Sequence, residues 1–362
     1  MKVVHIPFSG RNPYQKLLAD GLKACGVVVK GEPVQHLRDI SFLNLSLFTL
    51  LFKHWKPDIV HLHWQSSFLH VEGSRFKTIL KSLLFLFQLW MLKKLGIKLV
   101  WTVHNLKRHE ETYRDLEAHF TGKLAGMSDG IIVHCQTAKD DVLHQFDTVK
   151  INKISVIAHG HFLGYYPNDR TREAACKKLD LKPSKLTFLF LGELRYYKGV
   201  IELIEAFRSI DNEDLQLLIA GQPHGKRIRD DVREKAANVS NITTHYTYVP
   251  DQELQNYINA SDIMVFPYRN IFTSGGIFMA LSFGIPIIAP RLGCITDALH
   301  ESPNFIYDAT EGGGLVNAMR AAIEFKDRLD DIGRYNRNLA NRFGWQEIAE
   351  KTTDTYRKCL KK

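Results

Sequence analysis

The sequence predicts an α/β protein of two consecutive domains, each a doubly wound parallel sheet with helices on both faces. Three observations support this prediction. The length of 362 residues suits two domains. Short apolar runs alternate with helix-compatible stretches, and the alternation pauses in a polar segment with two prolines, 164–185, before it starts again. An apolar content of 45% with 24% charged residues excludes disordered, collagen-like and coiled-coil chains.

Four short apolar runs mark the strands of the first half: KVVHIPF (2–8), IVHLHW (59–64), KLVWTVHN (98–105) and GIIVH (130–134). Runs of this kind, separated by helical stretches, are typical of buried parallel strands. Ligands of such sheets bind at the carboxyl ends of the strands. His63, His104 and His134 lie at such ends and therefore become candidates for a site.

The second half repeats the pattern. Its predicted strands are TFLFLG (187–192), LQLLIAG (215–221), NITTHYTYV (241–249), DIMVFP (262–267) and IPIIAP (285–290), and IELIEAFRSI and DQELQNYINA are helical between them. We place the boundary in the polar segment, which gives domains of 1–165 and 166–344.

The positive charge is concentrated in the first half. Residues 1–160 hold 21 Lys and Arg against 13 Asp and Glu, a net charge of +8, whereas residues 161–362 hold 27 against 26. A basic domain attracts nucleic acid, an anionic membrane or an anionic substrate. The lysines lie beside Leu and Phe runs rather than in a nucleic-acid-reading motif, so we expect no nucleic-acid partner.

Two apolar-basic segments, 41–56 and 76–98, interrupt the first half. Neither has about 18 uninterrupted apolar residues, so neither is expected to span a membrane. Each is either a long core helix or an interfacial helix with Leu, Phe and Trp in lipid and lysines at anionic head groups. The apolar run MKVVHIPF is too short for the core of a signal peptide, so we expect no export signal. We therefore expect a cytoplasmic protein that associates peripherally with the inner face of the plasma membrane.

No metal or other cofactor is expected. The five cysteines show no CxxC spacing, which excludes a cysteine zinc site. His61 and His63 lie on one face of a strand and could begin a metal site, but no third ligand follows at a recognisable spacing.

The segment GELRYYKGV (192–200) has the outline of a phosphate site. It follows a predicted strand and opens a helix, and Arg195 and Lys198 can neutralise a diphosphate there. The alternative is two solvated charges in a loop.

A second anion site is predicted in YRNIFTSGGIFMALSFGIPIIAP (268–290). Thr273, Ser274, Gly275 and Gly276 open an apolar helix, where backbone N–H groups and the positive helix end attract an anion. The GIP turn into the next strand puts this helix start at the end of a parallel sheet.

These elements together resemble the GT-B glycosyltransferases, and within them the retaining nucleotide-sugar transferases of family 4. The similar segments run in order through the chain: PDIVHLHW, WTVHN, SDGIIVH, ISVIAHG, FLGELRYYKG, LLIAG, ASDIMVFPY, SGGIFMALSFGIPIIAP and FGWQEIAEKTTDTY. Bacterial exopolysaccharide and lipid-linked oligosaccharide transferases are the most similar members.

The resemblance implies two Rossmann-like domains that face a central cleft, with acceptor on the first and nucleotide sugar on the second. It also implies that the final helix, at about 345–362, crosses back to the first domain. Arg195 and Lys198 become diphosphate ligands and 274–276 the helix-end cradle.

Further site residues follow from the same resemblance. Tyr248 and Val249 match the loop that holds the nucleotide base. His104 matches a histidine that faces the donor sugar, and Gly10 matches the turn where the diphosphate meets the first domain.

One departure from the family pattern affects the donor site. Ile271 and Met279 occupy the two positions at which the family carries glutamates for sugar and ribose hydroxyls. Neither side chain can accept those hydrogen bonds. We therefore expect the polar groups nearby to substitute, which are Arg269, Asn270, Thr273 and Ser274.

The resemblance thus implies a transferase that moves a hexosyl group from a nucleoside diphosphate sugar, first of all a UDP-sugar, to a glycan or glycolipid in cell-surface polysaccharide synthesis. It also implies retention without a metal, which would explain why no paired catalytic carboxylates are evident. An inverting reaction would need a positioned base, for which His104 is one candidate and Asp or Glu residues of the first domain are others. The alternatives are a nucleotide-sugar epimerase of the same fold and a non-catalytic basic membrane protein.

Overall fold

The structure is a computed structural model that describes residues 1–31, 47, 56–69, 73–106, 113–237 and 239–361. The chain forms two compact units. Unit 1 comprises Met1–Gly160 together with Gly344–Lys362, and unit 2 comprises His161–Phe343. Of the apolar segment 41–56, all but Leu47 and Lys56 lies outside the described residues.

Unit 1 is built on a parallel sheet of six strands in the order β2-β1-β3-β4-β5-β6. The strands are β1 (Lys2–Ile6), β2 (Val28–Gly31), β3 (Ile59–Leu62), β4 (Lys98–Thr102), β5 (Gly130–Val133) and β6 (Ile154–Val156). The residues of β3 and β5 are buried throughout, because helices cover both faces of the sheet.

The described helices of unit 1 are α1 (Pro13–Ala24), α2 (Ser66–Leu69), α3 (Arg75–Lys94), α4 (Arg114–Met127), α5 (Gln136–Gln145) and α14 (Trp345–Leu360). Helix α1 begins where Asn12 accepts a bond from the Gln15 N–H and Pro13 pre-sets the backbone. Helix α14, last in the chain, packs on α1 and the sheet through Ile348, Ala349 and Tyr356. The prediction that the final helix returns to the first domain is therefore confirmed.

Unit 2 repeats the architecture with the strand order β12-β11-β10-β7-β8-β9, again all parallel. The strands are β7 (Leu186–Leu191), β8 (Leu215–Ala220), β9 (Ile242–His245), β10 (Ile263–Val265), β11 (Ile287–Pro290) and β12 (Phe305–Tyr307). The helices are α6 (Arg172–Leu179), α7 (Val200–Arg208), α8 (Lys226–Ala236), α9 (Leu254–Asn259), α10 (Gly275–Phe283), α11 (Gly293–Ala298), α12 (Gly314–Glu324) and α13 (Leu329–Ala340). The predicted α/β class with two parallel sheets is confirmed.

Helix α3 has two different faces. Its buried face combines Phe85, Leu89 and Leu92 with Thr78, Ser82 and Gln88. Its outer face carries large apolar side chains, of which Phe76 is 73%, Leu83 53% and Phe87 51% exposed. Segment 76–98 is therefore not simply a core helix. None of the helices in the described residues has the length and apolar content needed to cross a bilayer.

Candidate active site

Histidines collect at the carboxyl edge of the sheet in unit 1. His5 lies in β1 and His61 in β3, and His63, His104 and His134 follow the ends of β3, β4 and β5. All five are buried, as is His159 in the loop after β6. The structure thus brings together the three histidines predicted from strand ends, and His63 Nδ1 lies 3.2 Å from His104 Nε2.

Tyr14 of α1 is the aromatic neighbour of this cluster. Its ring centroid lies 5.1 Å from that of His104, 5.5 Å from that of His134 and 4.9 Å from that of His159. Burial raises the pKa of the Tyr14 hydroxyl well above its usual range. Tyr14 therefore stays neutral, with its hydroxyl hydrogen-bonded to Thr102 and its ring packed beside His104.

The buried histidines are neutral at physiological pH. Desolvation lowers the pKa of His5 to about 3, that of His134 to about 4 and that of His159 to about 3. Burial, with repulsion from the neighbouring imidazoles, also lowers the pKa of His61, His63 and His104 well below 6.5. His104 can therefore act on a ligand as a neutral donor or acceptor of hydrogen bonds.

His5, His61 and His63 form a group whose possible metal-ligating atoms lie within 4.8 Å of one another. His5 is the third imidazole that sequence spacing did not reveal. Hydrogen bonds already use both ring nitrogens of His61, which meet Tyr356 Oη at 2.6 Å and Thr102 Oγ1 at 2.7 Å. A metal would have to displace these bonds, and the expectation of a metal-independent site stays a prediction.

Gly10 lies in the exposed turn between β1 and α1. Gln15 holds this turn, because its Oε1 accepts a bond from the Ser9 N–H at 2.8 Å and its amide donates to the Pro7 carbonyl at 2.5 Å. A Cβ on Gly10 would meet no atom within 4 Å. The turn can therefore offer backbone groups to an anion, but it does not require a glycine at this position.

In unit 2, Arg195 and Lys198 lie in the loop between β7 and α7, as predicted. The Arg195 guanidinium donates to both carboxylate oxygens of Glu193, at 2.9 and 3.2 Å, and His224 Nδ1 lies 3.1 Å from the same carboxylate. Glu193 thus orients Arg195 and partly neutralises it.

Lys198 is half-buried in the same loop. Burial lowers the pKa of its ammonium to about 8, against the opposing attraction of Glu193. A group poised in this way gains charge stabilisation when an anion binds beside it.

The second predicted anion site is the start of α10. Ser274 occupies the N-cap position without capping the helix, because its hydroxyl lies 3.1 Å from the hydroxyl of the buried Tyr268. The hydroxyl of Thr273 is buried and makes no hydrogen bond to any other residue that the structure describes. The first amides of α10 therefore have no side-chain cap, and a bound anion can accept from them.

The two predicted anion sites of unit 2 meet in space. The Arg269 N–H donates to the Tyr197 carbonyl at 2.9 Å, so the loop before α10 is fastened to the Lys198 loop. Gly199 has φ +72°, and a Cβ there would lie 1.8 Å from the Pro267 carbonyl oxygen. This close approach requires a glycine.

The remaining predicted donor residues lie around this edge. Tyr248 is 65% exposed and Val249 buried in the loop after β9, which ends at His245, earlier than predicted. Asn270 is exposed, and Ile271 and Met279 are half-buried.

Sequence reasoning missed four residues that shape the two edges: His5, Tyr14, Glu193 and Tyr356. His5 is hidden in an apolar run, and Tyr356 is remote in sequence from every strand it meets. Glu193 had a local signal, since it stands two residues before Arg195.

Comparison with known families gives two matches. Residues 4–161 match Glycosyltransferase Family 4, and residues 171–339 match Glycosyl transferases group 1. The matched ranges correspond to units 1 and 2.

Two curated relatives are transferases. The GDP-mannose:glycolipid 4-beta-D-mannosyltransferase of Xanthomonas campestris pv. campestris is 27% identical over 272 residues, which are 73% of this chain and 72% of that protein. The D-inositol 3-phosphate glycosyltransferase of Corynebacterium glutamicum is 25% identical over 286 residues, 74% of this chain and 68% of that protein.

Solved structures share the fold. Sucrose-phosphate synthase of Thermosynechococcus elongatus superposes with a TM-score of 0.74 at 18% identity, over 98% of each chain. Anabaena HepE, solved in complex with UDP-glucose, gives a TM-score of 0.75 at 14% identity, over 98% of this chain and 99% of that one.

Proposed function

Because the chain belongs to the GT-B glycosyltransferases, with a family 4 unit followed by a group 1 unit, we propose that it transfers a hexosyl group from a nucleoside diphosphate sugar to a glycan or glycolipid. We assign this reaction to the synthesis of a cell-surface polysaccharide. The relatives named as glycosyltransferases favour this reaction over the epimerase and the non-catalytic alternatives.

The observation that carries the proposal is the cationic edge of unit 2. Arg195, Lys198 and the uncapped amides of α10 lie on two loops joined by the Arg269–Tyr197 bond. Negative charge accumulates on the diphosphate as the glycosidic bond breaks, and fixed cations and amides directed at it stabilise the transition state. In the proposed reaction the acceptor oxygen bonds to the anomeric carbon on the face that the diphosphate leaves, and its proton passes to the departing phosphate oxygen. The configuration is thereby retained, and the proposed step needs no metal.

UDP-sugars are the first donors to test and GDP-mannose the second. The Xanthomonas relative is named for GDP-mannose, and HepE was solved with UDP-glucose. Tyr248 offers an exposed ring beside the loop proposed to hold the base. The polar substitutes for the absent glutamates remain Thr273, Ser274, Arg269 and Asn270.

A donor panel tests the reaction. The enzyme is incubated with UDP- and GDP-hexoses and a polyprenyl diphosphate-linked sugar, with and without EDTA. We expect acceptor-dependent release of one nucleoside diphosphate that EDTA does not change, and a product whose anomeric configuration by NMR is that of the donor. Interconversion of free nucleotide sugars would instead identify an epimerase.

The acceptor is proposed to be reached at an anionic membrane surface. Phe76, Leu80, Leu83, Phe87 and Trp90 form a stripe at helical spacing along the outer face of α3, which we call the apolar stripe. Lys77 lies beside the start of the stripe and Lys94 beside its end. The Lys94 ammonium is 5.6 Å from the centroid of the Trp90 ring. Apolar side chains framed by lysines are suited to the interface of an anionic bilayer.

Vesicle binding tests this part separately. We expect sedimentation with phosphatidylglycerol-containing vesicles that weakens in salt, and a loss of binding of about tenfold or more in Phe87→Ser/Trp90→Ser. Phe325→Ser in unit 2 is the matched control, because Phe325 is also an exposed aromatic residue. Equal binding of the double variant and the wild type would refute the role of the apolar stripe.

A further inference from the structure

A continuous hydrogen-bonded relay crosses the interior of unit 1 and ends at His104. Its members are all buried, and they come from three strands or their ends and from the last helix: Thr102, His61, Tyr356, His5, His63 and His104. His61 joins Thr102 Oγ1 at 2.7 Å to Tyr356 Oη at 2.6 Å. Tyr356 Oη lies 3.3 Å from His5 Nε2.

The second part of the relay contains imidazoles alone. His5 Nδ1 lies 3.3 Å from His63 Nε2, and His63 Nδ1 lies 3.2 Å from His104 Nε2. Each of the three inner imidazoles therefore has both ring nitrogens committed. No hydrogen bond between His104 Nδ1 and another described residue is observed, so this nitrogen is the one left for a ligand.

Proton counting restricts the relay to two states. A neutral imidazole carries one N–H, which donates, and one bare nitrogen, which accepts. Once one link has a direction, the links between imidazoles must follow it, because a reversed link would set two donors or two lone pairs against each other. A reversal at the Tyr356 hydroxyl would leave its proton or one ring nitrogen without a partner. The tautomer of His104 is thus coupled to a hydroxyl at the far end of the relay.

One of the two directions begins at Thr102. Its hydroxyl is hydrogen-bonded to Tyr14 and can also donate to His61 Nε2 at 2.7 Å. From there His61 donates to Tyr356, Tyr356 to His5, His5 to His63, and His63 to His104 Nε2. In this direction the proton of His104 resides on Nδ1, where it is left for a ligand, and each of the other protons named here has an acceptor.

We propose that Thr102, His61, Tyr356, His5 and His63 are positioning residues, which act through this relay to hold His104 as the Nδ1–H tautomer, a neutral hydrogen-bond donor to the donor sugar. This inference rests on the proposed transferase function and deepens it, because a donor at Nδ1 cannot be the base that an inverting reaction would need. The burial that keeps the imidazoles uncharged keeps the relay in neutral form.

The tautomer can be measured without any substrate. In protein labelled with 15N-histidine, long-range 15N–1H correlation spectra distinguish a protonated ring nitrogen from a bare one, and His104→Asn assigns the His104 signals. We expect protonated Nδ1 and bare Nε2 in the wild type. Tyr356→Phe keeps the ring but removes the central hydroxyl, and should convert His104 into a mixture of both tautomers.

Tyr257→Phe is the matched control for this spectrum. Tyr257 is also buried and its hydroxyl lies 3.1 Å from a histidine, His245, but in unit 2. The Tyr257→Phe substitution should leave the His104 signals unchanged. A wild-type His104 protonated on Nε2, or an unchanged tautomer in Tyr356→Phe, overturns the proposal whether or not the protein is a transferase.

The turnover of two His63 variants distinguishes a role in the relay from a role in packing. In His63→Gln the amide can accept from His5 and donate to His104, whereas the similarly sized side chain of His63→Leu can do neither. We expect the Leu variant to have a kcat on the order of tenfold below that of the Gln variant, the equivalent of one neutral hydrogen bond, although both remain folded.

A double-mutant cycle completes the test. In a His104→Asn background the Gln and Leu variants should turn over equally, because the relay no longer has an end on which to act. A Leu variant that is still slower than Gln in that background would show that His63 acts by packing and would overturn the relay. A protein without any transferase activity would refute the proposed function while the spectra still decide the relay.

Discussion

The two sheet edges that carry the predicted site residues differ in charge and in burial. The edge of unit 1 is a set of neutral imidazoles, buried and joined to one another by side-chain hydrogen bonds. The edge of unit 2 consists of cations and backbone amides on loops, with Arg195 held by Glu193 and Lys198 half-buried. The first can orient a polar, uncharged group, and the second can neutralise an anion.

This contrast predicts different responses to pH. The ionisation of Lys198 falls near pH 8, so unit 2 changes its charge close to physiological conditions. The imidazoles of folded unit 1 stay neutral until the solution is strongly acidic, and their protonation then destabilises the folded state. Variants and titrations can therefore address each edge separately.

The largest effect is expected when unit 2 loses a fixed charge. Arg195→Ala and Lys198→Met should each lower kcat by about 10²–10³, because each removes a cation that faces the developing charge of the leaving diphosphate. Steady-state kinetics with the accepted donor provides the measurement. Lys235→Met, which removes an exposed lysine paired with Glu205, is the matched control and should stay within about twofold of the wild type. A near-wild-type kcat in Lys198→Met would remove that residue from the site.

The next effect is on stability and belongs to unit 1. The unfolded histidines bind protons below about pH 6.5, whereas folded His5, His134 and His159 bind them only near pH 3–4. The unfolded state therefore binds more protons in this window, so stability is complete above pH 6.5 and is lost as the pH falls towards these lowered pKa values. Each such histidine should cost about 1.4 kcal/mol per pH unit between those limits.

Chemical denaturation at pH 7.5, 6.0 and 5.0 measures this dependence. His134→Gln should make the slope shallower by about one proton, because it removes a group that binds a proton in the unfolded state but not in the folded one. A free energy of unfolding that stays constant from pH 7.5 to 5.0 would show that the imidazoles are solvated.

The buried strands were easier to predict than the edge strands. The three strands that the sequence did not reveal, β2, β6 and β12, lie at sheet edges and expose much of their surface. Their sequences therefore need no continuous apolar run. The fold class followed from the inner strands, such as β3 and β8, whose residues are buried throughout.

The site was predictable where the residues that share a chemical role are also close together in the sequence. Arg195 and Lys198 lie three residues apart in one turn, so their loop could be located from sequence alone. The relay could not, because His5, His63 and Tyr356 meet only after strand order and the return of α14 place them together. Nothing in the local pattern around Tyr356 distinguishes it from an ordinary core tyrosine.

A smaller effect should link anion binding to pH. Free Lys198 loses its charge above pH 8, and a bound diphosphate favours the charged form, so affinity should fall as pH rises. Between pH 7 and 9 the dissociation constant of the nucleoside diphosphate should rise about tenfold, measured by calorimetry. Lys198→Arg keeps its charge throughout this range and should abolish the dependence. An equal rise in this variant would assign the titration to another group.

The smallest effect is expected at Gly10, and it tests how each edge uses glycine. A Cβ at Gly10 meets no atom within 4 Å, and Gln15 rather than backbone freedom holds the turn. Gly10→Ala should therefore leave both the free energy of unfolding and the donor KM within about twofold or 0.5 kcal/mol of the wild type. Gly199→Ala is the contrasting variant, because its methyl group would clash with the Pro267 carbonyl and separate the two loops of unit 2. This variant should be less stable than the wild type and should have a higher donor KM. If Gly10→Ala alone raised KM sharply while stability was unchanged, the ligand itself would have to approach the backbone of that turn.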